Sequence, residues 1–232
     1  DIVVYDVEKH EIITASTLFS PHVFETFPTF SPDGKTLYFC SAPARPMPQS
    51  FKEVKYDLCS ISFDPASRTF GAVTDTLYHA AEGGKSASFP RVSPDGKYLL
   101  YTLSGYGNFS IWHKDADLYM LDLSDGANRP VDILNSDDVE SYHSWSSNSR
   151  WIVFSSRRID GLYTRPFIAY INSKGKASKP FLLPQKDTDF YHRSMKSYNI
   201  PEFITGKVTT SNRKLALKAK HDPGTNLTFL IQ

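Results

Sequence analysis

A thirteen-residue segment occurs twice in the chain without gaps and a third time in weaker form, and this repeat limits the folds open to the sequence. The two full copies run from Phe27 to Phe39 and from Phe89 to Tyr101, and the weaker copy matches over twelve residues, from His143 to Phe154. The first two contain Ser-Pro-Asp-Gly-Lys, whereas the third has Asn-Ser-Arg in place of Asp-Gly-Lys. Proline presets φ at a turn entry and Asp-Gly supplies a positive φ. Each copy therefore predicts a strand, a tight turn and a second strand.

A second segment recurs downstream of each copy. It reads Asp57-Leu58-Cys59-Ser60-Ile61, then Asp117-Leu118-Tyr119-Met120-Leu121, with Pro166 to Tyr170 as a degenerate third version. A polar turn and one more short strand follow each time. Four antiparallel strands repeated every 50 to 60 residues are typical of β-propeller blades. The sequence therefore predicts an all-β chain with blades at about 24–78, 86–135 and 140–184.

The ends of the chain do not match whole blades. Residues 1–18 match only the third and fourth strands of a unit, which predicts a partial ring of about three and a half blades, followed by a tail over 185–232. Three explanations remain open. Upstream blades have been lost, or two chains combine through open blade edges as a homodimer, or strand-like runs at 214–219 and 227–231 complete the half blade and close a four-bladed ring.

The repeated Ser-Pro-Asp-Gly-Lys turn, followed by an apolar strand and later by Asp117-Leu118-Tyr119, resembles the Pro-Asp type of WD-like repeat of TolB-like β-propellers over residues 1–184. The resemblance implies a six-bladed parent ring in the bacterial periplasm or cell envelope, or another exported location. It also implies a non-catalytic scaffold for protein–protein interaction. The alternative is an accessory propeller of a larger enzyme, peptidase-like or redox-associated, with a small-molecule or ion site in the channel.

Several classes of function are not expected. The 26 Lys and Arg residues balance 25 Asp and Glu residues, which gives no basic surface for nucleic acid, and no apolar run is long enough for a membrane span. No Gly-x-Ser-x-Gly turn marks a hydrolase nucleophile, so we do not expect this chain to be an enzyme. Without Cys-x-x-Cys or closely spaced histidines we expect neither a metal nor a cofactor. The acidic group Asp137, Asp138 and Glu140 binds a cation or basic partner, or is a solvated loop.

Propeller loops between second and third strands lie on the same face as the loops between blades. Aromatic and arginine side chains are enriched at interface centres. We therefore predict that a protein or peptide partner binds Tyr106, Trp112, His113, Tyr142, His143, Arg157, Arg158 and Tyr163. For Arg157, a structural role in bracing its own loop is the alternative.

The only two cysteines, Cys40 and Cys59, fall in neighbouring strands of one predicted blade. A disulfide between them would close a short loop in an oxidising compartment. Two buried free thiols that pack as small apolar groups are the alternative.

Overall fold

Four β-sheets follow one another along the chain, as described over residues 1–231 by a computed structural model. The first contains β1 (Val4–Asp6) and β2 (Glu11–Thr14). The second contains β3 (Val23–Phe30), β4 (Thr36–Pro43), β5 (Asp57–Asp64) and β6 (Thr69–Tyr78). The third contains β7 (Ser86–Val92), β8 (Tyr98–Ser104), β9 (Asp117–Asp122) and β10 (Asn128–Pro130). The fourth contains β11 (Glu140–Trp145), β12 (Trp151–Ser156), β13 (Arg165–Tyr170) and β14 (Phe181–Leu182).

Strands in the second, third and fourth sheets pair antiparallel in chain order, as in propeller blades. These blade-like sheets form an open ring, and the predicted fold class is confirmed. The remaining elements are the helices α1 (Ala80–Gly83), α2 (Phe190–Arg193) and α3 (Asn212–His221), and the last strand, β15 (Thr228–Ile231).

One turn geometry closes the first hairpin of all three four-stranded sheets. In the second sheet the Ser31 hydroxyl donates to Asp33 Oδ1 at 2.6 Å and accepts the backbone N–H of Thr36 at 3.0 Å. In the fourth, Ser146 donates to Asn148 Oδ1 at 2.7 Å. Asparagine replaces aspartate there because its amide oxygen accepts the same bond. These internal bonds explain the repeated aspartates without a bound ion.

The first strand of each four-stranded sheet carries the same irregularity. Phe27, Phe89 and Tyr142 sit at φ values of 54°, 53° and 51°, where the pairing register shifts. The Phe27 and Phe89 ring centroids lie 4.1 Å apart, and those of Phe89 and Tyr142 lie 4.7 Å apart. A ladder of three aromatic rings therefore links the inner strands of three blades.

Three apolar clusters lie between consecutive sheets. The side chains of each strand alternate between two faces, so the second and third sheets contribute to clusters on both of their sides, whereas the fourth contributes to the cluster that it shares with the third. Phe39 and Cys59 belong to the cluster shared with Ile2 and Leu18 of the N-terminal segment, whereas Cys40 belongs to the one shared with the third sheet.

Of the two alternatives for Cys40 and Cys59, the structure has the free thiols and not the disulfide, because the strand register separates the two side chains. Cys40 pairs with Leu58 and Cys59 pairs with Phe39, which directs the two side chains to opposite faces of the sheet. Both cysteines are free and buried. Burial raises the pKa of both thiols, that of Cys59 to about 11.

The tail differs from the expectation in two ways. The predicted strand at 214–219 lies in α3, because Ala, Leu and Lys favour a helix and Ser211 caps it by accepting the N–H of Lys214. Strand β15 pairs in parallel with β2, on the side away from β1. It therefore does not supply the first two strands of the half blade, and the four-bladed closure is wrong. Over residues 1–231, no helix has the length and apolarity needed to cross a membrane.

Candidate functional site

A pocket of about 380 Å³ lies at the junction of the third and fourth sheets. Its walls come from the β8–β9 loop, the inner strand β11, the β12–β13 loop and the tail. The lining residues are Phe109, Ile111, Trp112, Tyr142, Arg157, Leu162, Thr164, Ser197 and Asn199. Among these described lining residues, Arg157 is the one that carries a charge.

A short 3-10 turn, Ser110–Trp112, presents the indole of Trp112. The turn begins after Phe109, which has a φ of 53°, and the N–H of His113 donates to the Ser110 carbonyl at 3.0 Å. The Ser110 hydroxyl lies 3.1 Å from that of Ser141 on β11, which ties the turn to the next blade. Trp112 is thus held in place while 66% of its surface stays exposed.

The guanidinium of Arg157 lies beneath this indole. Its Cζ is 4.3 Å from the Trp112 ring centroid, a cation–π distance. Its Nε and Nη2 donate to the Leu162 carbonyl at 3.3 and 3.2 Å, so Arg157 braces its own loop as well as lining the pocket. Arg157 is only 9% exposed, and no carboxylate in the described residues lies within ion-pair distance of it.

The nearest acidic side chain of this loop is engaged elsewhere. Asp160 Oδ1 accepts the backbone N–H groups of Leu162 and Tyr163 at 2.9 and 2.8 Å. Its Oδ2 lies 3.5 Å from Nη2 of Arg165. Burial raises the pKa of Asp160, but the two N–H groups and the charges of Arg165 and Arg157 lower it overall. Asp160 therefore stabilises the turn and pairs with Arg165, and it interacts with Arg157 only beyond ion-pair distance.

The tail forms the remaining wall of the pocket. The N–H of Tyr198 donates to the Thr164 carbonyl at 3.1 Å, and the Ser155 hydroxyl lies 2.7 Å from the carbonyls of Tyr198 and Asn199. Ser144 donates to the Pro201 carbonyl at 2.9 Å. The segment therefore runs along β11 and β12 on the open face of the fourth sheet.

Two hydroxyl groups at the pocket, those of Thr164 and Tyr142, are affected by burial. The Thr164 hydroxyl is buried and has no hydrogen-bond partner within the described part of the chain. Tyr142 lines the pocket from the bulge of β11, and burial raises the pKa of its phenol.

Of the eight predicted partner-binding residues, Trp112, Tyr142 and Arg157 meet in this pocket. Tyr106 and His113 lie beside it in the same loop, with ring centroids 3.9 Å apart. His113 is 8% exposed, and burial lowers the pKa of its imidazole.

The other three predicted residues are placed differently. Arg158 turns inward, where its Cζ lies 4.7 Å from the Phe167 ring centroid and its Nη2 pairs with buried Glu140. Glu140 therefore belongs to neither a cation site nor a solvated loop. His143 is 2% exposed within β11 and is not available to a partner. Tyr163 is half-buried beside Arg165, 5.0 Å from its guanidinium carbon.

Sequence reasoning missed six of the lining residues: Phe109, Ile111, Leu162, Thr164, Ser197 and Asn199. Phe109 and Leu162 carried a usable signal, since each is a large apolar residue inside a polar, glycine-containing loop. The tail residues carried none, because only the chain path brings them to the pocket. Within residues 1–231, no three His, Cys, Asp or Glu side chains are grouped so as to hold a metal ion.

No protein family and no curated protein matches the sequence. Solved structures that resemble the fold include TolB from Acinetobacter baumannii, with 16% identity, a TM-score of 0.41 and coverage of 67% of this chain and 32% of that one. The Pseudomonas aeruginosa periplasmic gluconolactonase PpgL has 14% identity, a TM-score of 0.46 and coverage of 75% and 46%. Prolyl oligopeptidase B from Galerina marginata has 12% identity, a TM-score of 0.46 and coverage of 74% and 24%.

The chain thus spans less than half the length of these three structures. They comprise a TolB protein and two enzymes, and at these scores the likeness carries no argument about activity.

Proposed function

We propose that this chain is part of a non-catalytic, TolB-like propeller scaffold that binds a segment of a partner protein at the pocket between its third and fourth sheets. The setting we propose is the bacterial periplasm or cell envelope, in keeping with the resemblance of the repeats. The observation that carries the proposal is the exposed indole of Trp112 stacked on the buried guanidinium of Arg157.

The surroundings of that pair support a binding role. Phe109, Trp112 and Leu162 are 76%, 66% and 66% exposed, and all three line the same pocket. Large apolar side chains grouped on a surface, next to an arginine, are the composition of interface centres. The loops that present them are fixed to the sheets by hydrogen bonds, which lowers the ordering cost of binding.

The test uses the whole chain and a phage-displayed library of random twelve-residue peptides. Peptides selected on the immobilised chain are synthesised, and their dissociation constants are measured by fluorescence polarisation. We expect Trp112→Ala to weaken the selected peptides at least tenfold, since aromatic anchors at interface centres contribute on the order of 2 kcal/mol.

Trp151→Ala is the matched control. Trp151 is the first residue of β12 and Arg157 directly follows the last one, which places them roughly 20 Å apart at the rise of a strand. Circular dichroism and thermal melts verify that both variants fold. Selected peptides that bind the Trp112 variant as tightly as the parent chain, or a library that yields no binder, contradict the proposal.

A further inference from the structure

Arg157 is a buried cation that forms no ion pair within the described part of the chain. It is 9% exposed, and its hydrogen bonds from Nε and Nη2 both go to a neutral carbonyl, that of Leu162. The other contact is the face of Trp112. Buried charges in proteins are normally paired, because removing an ion from water carries a large free-energy cost.

The acidic side chains nearby make their close contacts with other groups, and Asp160 interacts with Arg157 only at longer range. Asp160 is bonded to backbone N–H groups and lies beside Arg165, and Glu140 pairs with Arg158. The Nη1 group of Arg157 takes part in none of the hydrogen bonds found within residues 1–231. It has two N–H donors in the plane that suits a carboxylate.

The rest of the pocket offers polar groups and an apolar wall beside the Arg157 guanidinium. The Thr164 hydroxyl is buried without a partner, and Asn199 and Ser197 add polar groups from the tail. Phe109, Trp112 and Leu162 provide an apolar wall, and no carboxylate lines the described pocket. A ligand that joins a negative charge to an apolar body matches both parts.

We infer that the pocket recognises a carboxylate next to an apolar side chain, with Arg157 as its cationic partner and Trp112 as its apolar wall. This inference rests on the proposed peptide-binding function and specifies its ligand. Two sources supply the same chemistry: the terminal carboxylate of a peptide that ends in an apolar residue, and an internal Asp or Glu beside an apolar residue.

The experiment titrates the whole chain with three synthetic hexapeptides. The first ends in Leu-Phe with a free carboxylate, the second is its C-terminal amide, and the third is an amidated peptide with an internal Glu-Phe. The indole N–H signal of Trp112 is followed by NMR and assigned with Trp112→Phe. We expect at least one carboxylate peptide to bind about tenfold more tightly than the neutral amide, as a charge-assisted hydrogen bond predicts. The comparison of the first and third peptides identifies the source.

Arg157→Gln should remove this preference, and Arg157→Lys should retain part of it, because lysine keeps the charge without the planar fork. Arg129→Gln, an exposed position on the outer strand β10, should leave it unchanged. If Arg157→Gln does not fold, the lysine variant still reports on the geometry. Raising the salt concentration should weaken the carboxylate peptides and spare the amide.

Equal affinity for acid and amide, or a preference that survives Arg157→Gln, overturns the inference. The same two results leave the proposed function standing if the library-selected peptides still depend on Trp112. If neither the hexapeptides nor the library-selected peptides perturb the Trp112 signal, the proposed function fails together with the inference.

Discussion

The fully buried carboxylate of Glu140 accepts a hydrogen bond from Nη2 of Arg158 at 2.8 Å. The hydroxyls of Ser136 and Ser156 donate to the same oxygen at 2.7 Å each. Burial nevertheless raises the pKa of Glu140, and these bonds and Arg158 offset only part of that effect. The pair joins the start of β11 to the loop that follows β12 and keeps Arg158 turned towards the interior.

Arg158→Met should destabilise the chain by about 3 kcal/mol, because it leaves the buried Glu140 carboxylate without its cation. Urea unfolding measures the change. Arg129→Met, on the exposed strand β10, should stay within about 0.5 kcal/mol of the parent chain. The double variant Arg158→Met with Glu140→Gln should recover part of the loss, and a double variant as unstable as the single one would refute the pairing as the cause.

Phe89 is the middle ring of the aromatic ladder. Phe89→Ala should cost about 3 kcal/mol, because it removes contacts with both Phe27 and Tyr142. Phe109→Ala is a matched control, since Phe109 has the same φ of 53° but is 76% exposed. Thermal or urea unfolding of the two variants separates packing from backbone strain, and equal losses would show that the ladder adds no stability.

His143 should make the fold sensitive to acid. Burial lowers the pKa of its imidazole to about 3, below the value of about 6.5 expected in the unfolded chain. The unfolded state therefore binds more protons between these values, and stability falls as the pH drops through that window. At pH 5 the loss relative to pH 7 should be roughly 2 kcal/mol from this group alone.

His143→Gln should flatten this pH dependence, because its amide can donate to the Leu100 carbonyl, 2.8 Å from Nε2, without titrating. His192→Gln changes an exposed histidine and should leave the slope as it was. Urea unfolding at pH 7 and pH 5 gives the comparison. A slope unchanged in the His143 variant would mean that other groups cause the acid sensitivity.

Arg165 anchors the tail to the fourth sheet. It is 1% exposed and donates to the carbonyls of Lys196, Ser194 and Tyr191 at 2.6, 2.8 and 3.0 Å. Arg165→Lys replaces five donors by three in another geometry, so the tail should loosen. Hydrogen exchange over 191–201 should become at least tenfold faster, whereas Arg193→Lys, on the surface, should not alter it. Unchanged exchange in the Arg165 variant would assign the anchoring to other contacts.

The two cysteines provide a direct check on the register of β4 and β5. In the native chain both thiols should be inert to Ellman's reagent, because they are buried and their pKa values are raised. After unfolding without a reductant, two thiols per chain should react. Fewer than two would indicate a disulfide and a different register.

Local features of the fold could be read from the sequence. The Ser-Pro-Asp-Gly turn makes its own hydrogen bonds within six residues, as Ser31, Asp33 and Thr36 do. The alternation of side chains along a strand and the chemistry of a turn depend on residues close together in the chain. The same pattern occurs in three units, which strengthens the prediction for each of them. The degenerate third copy was recognisable because Asn148 keeps the acceptor that the turn requires.

The sequence alone determined the strands and turns of the three repeated blade-like units, since neighbouring residues decide these. Only the tertiary structure decided which side chains meet. Trp112 and Arg157 come together because the third and fourth sheets pack against each other, and Arg158 turns inward although it follows Arg157 directly. The same holds for the separation of Cys40 from Cys59 and for the path of the tail. These outcomes depend on the pairing register of the strands. A shift of one residue in the register moves every side chain of that strand to the opposite face of the sheet.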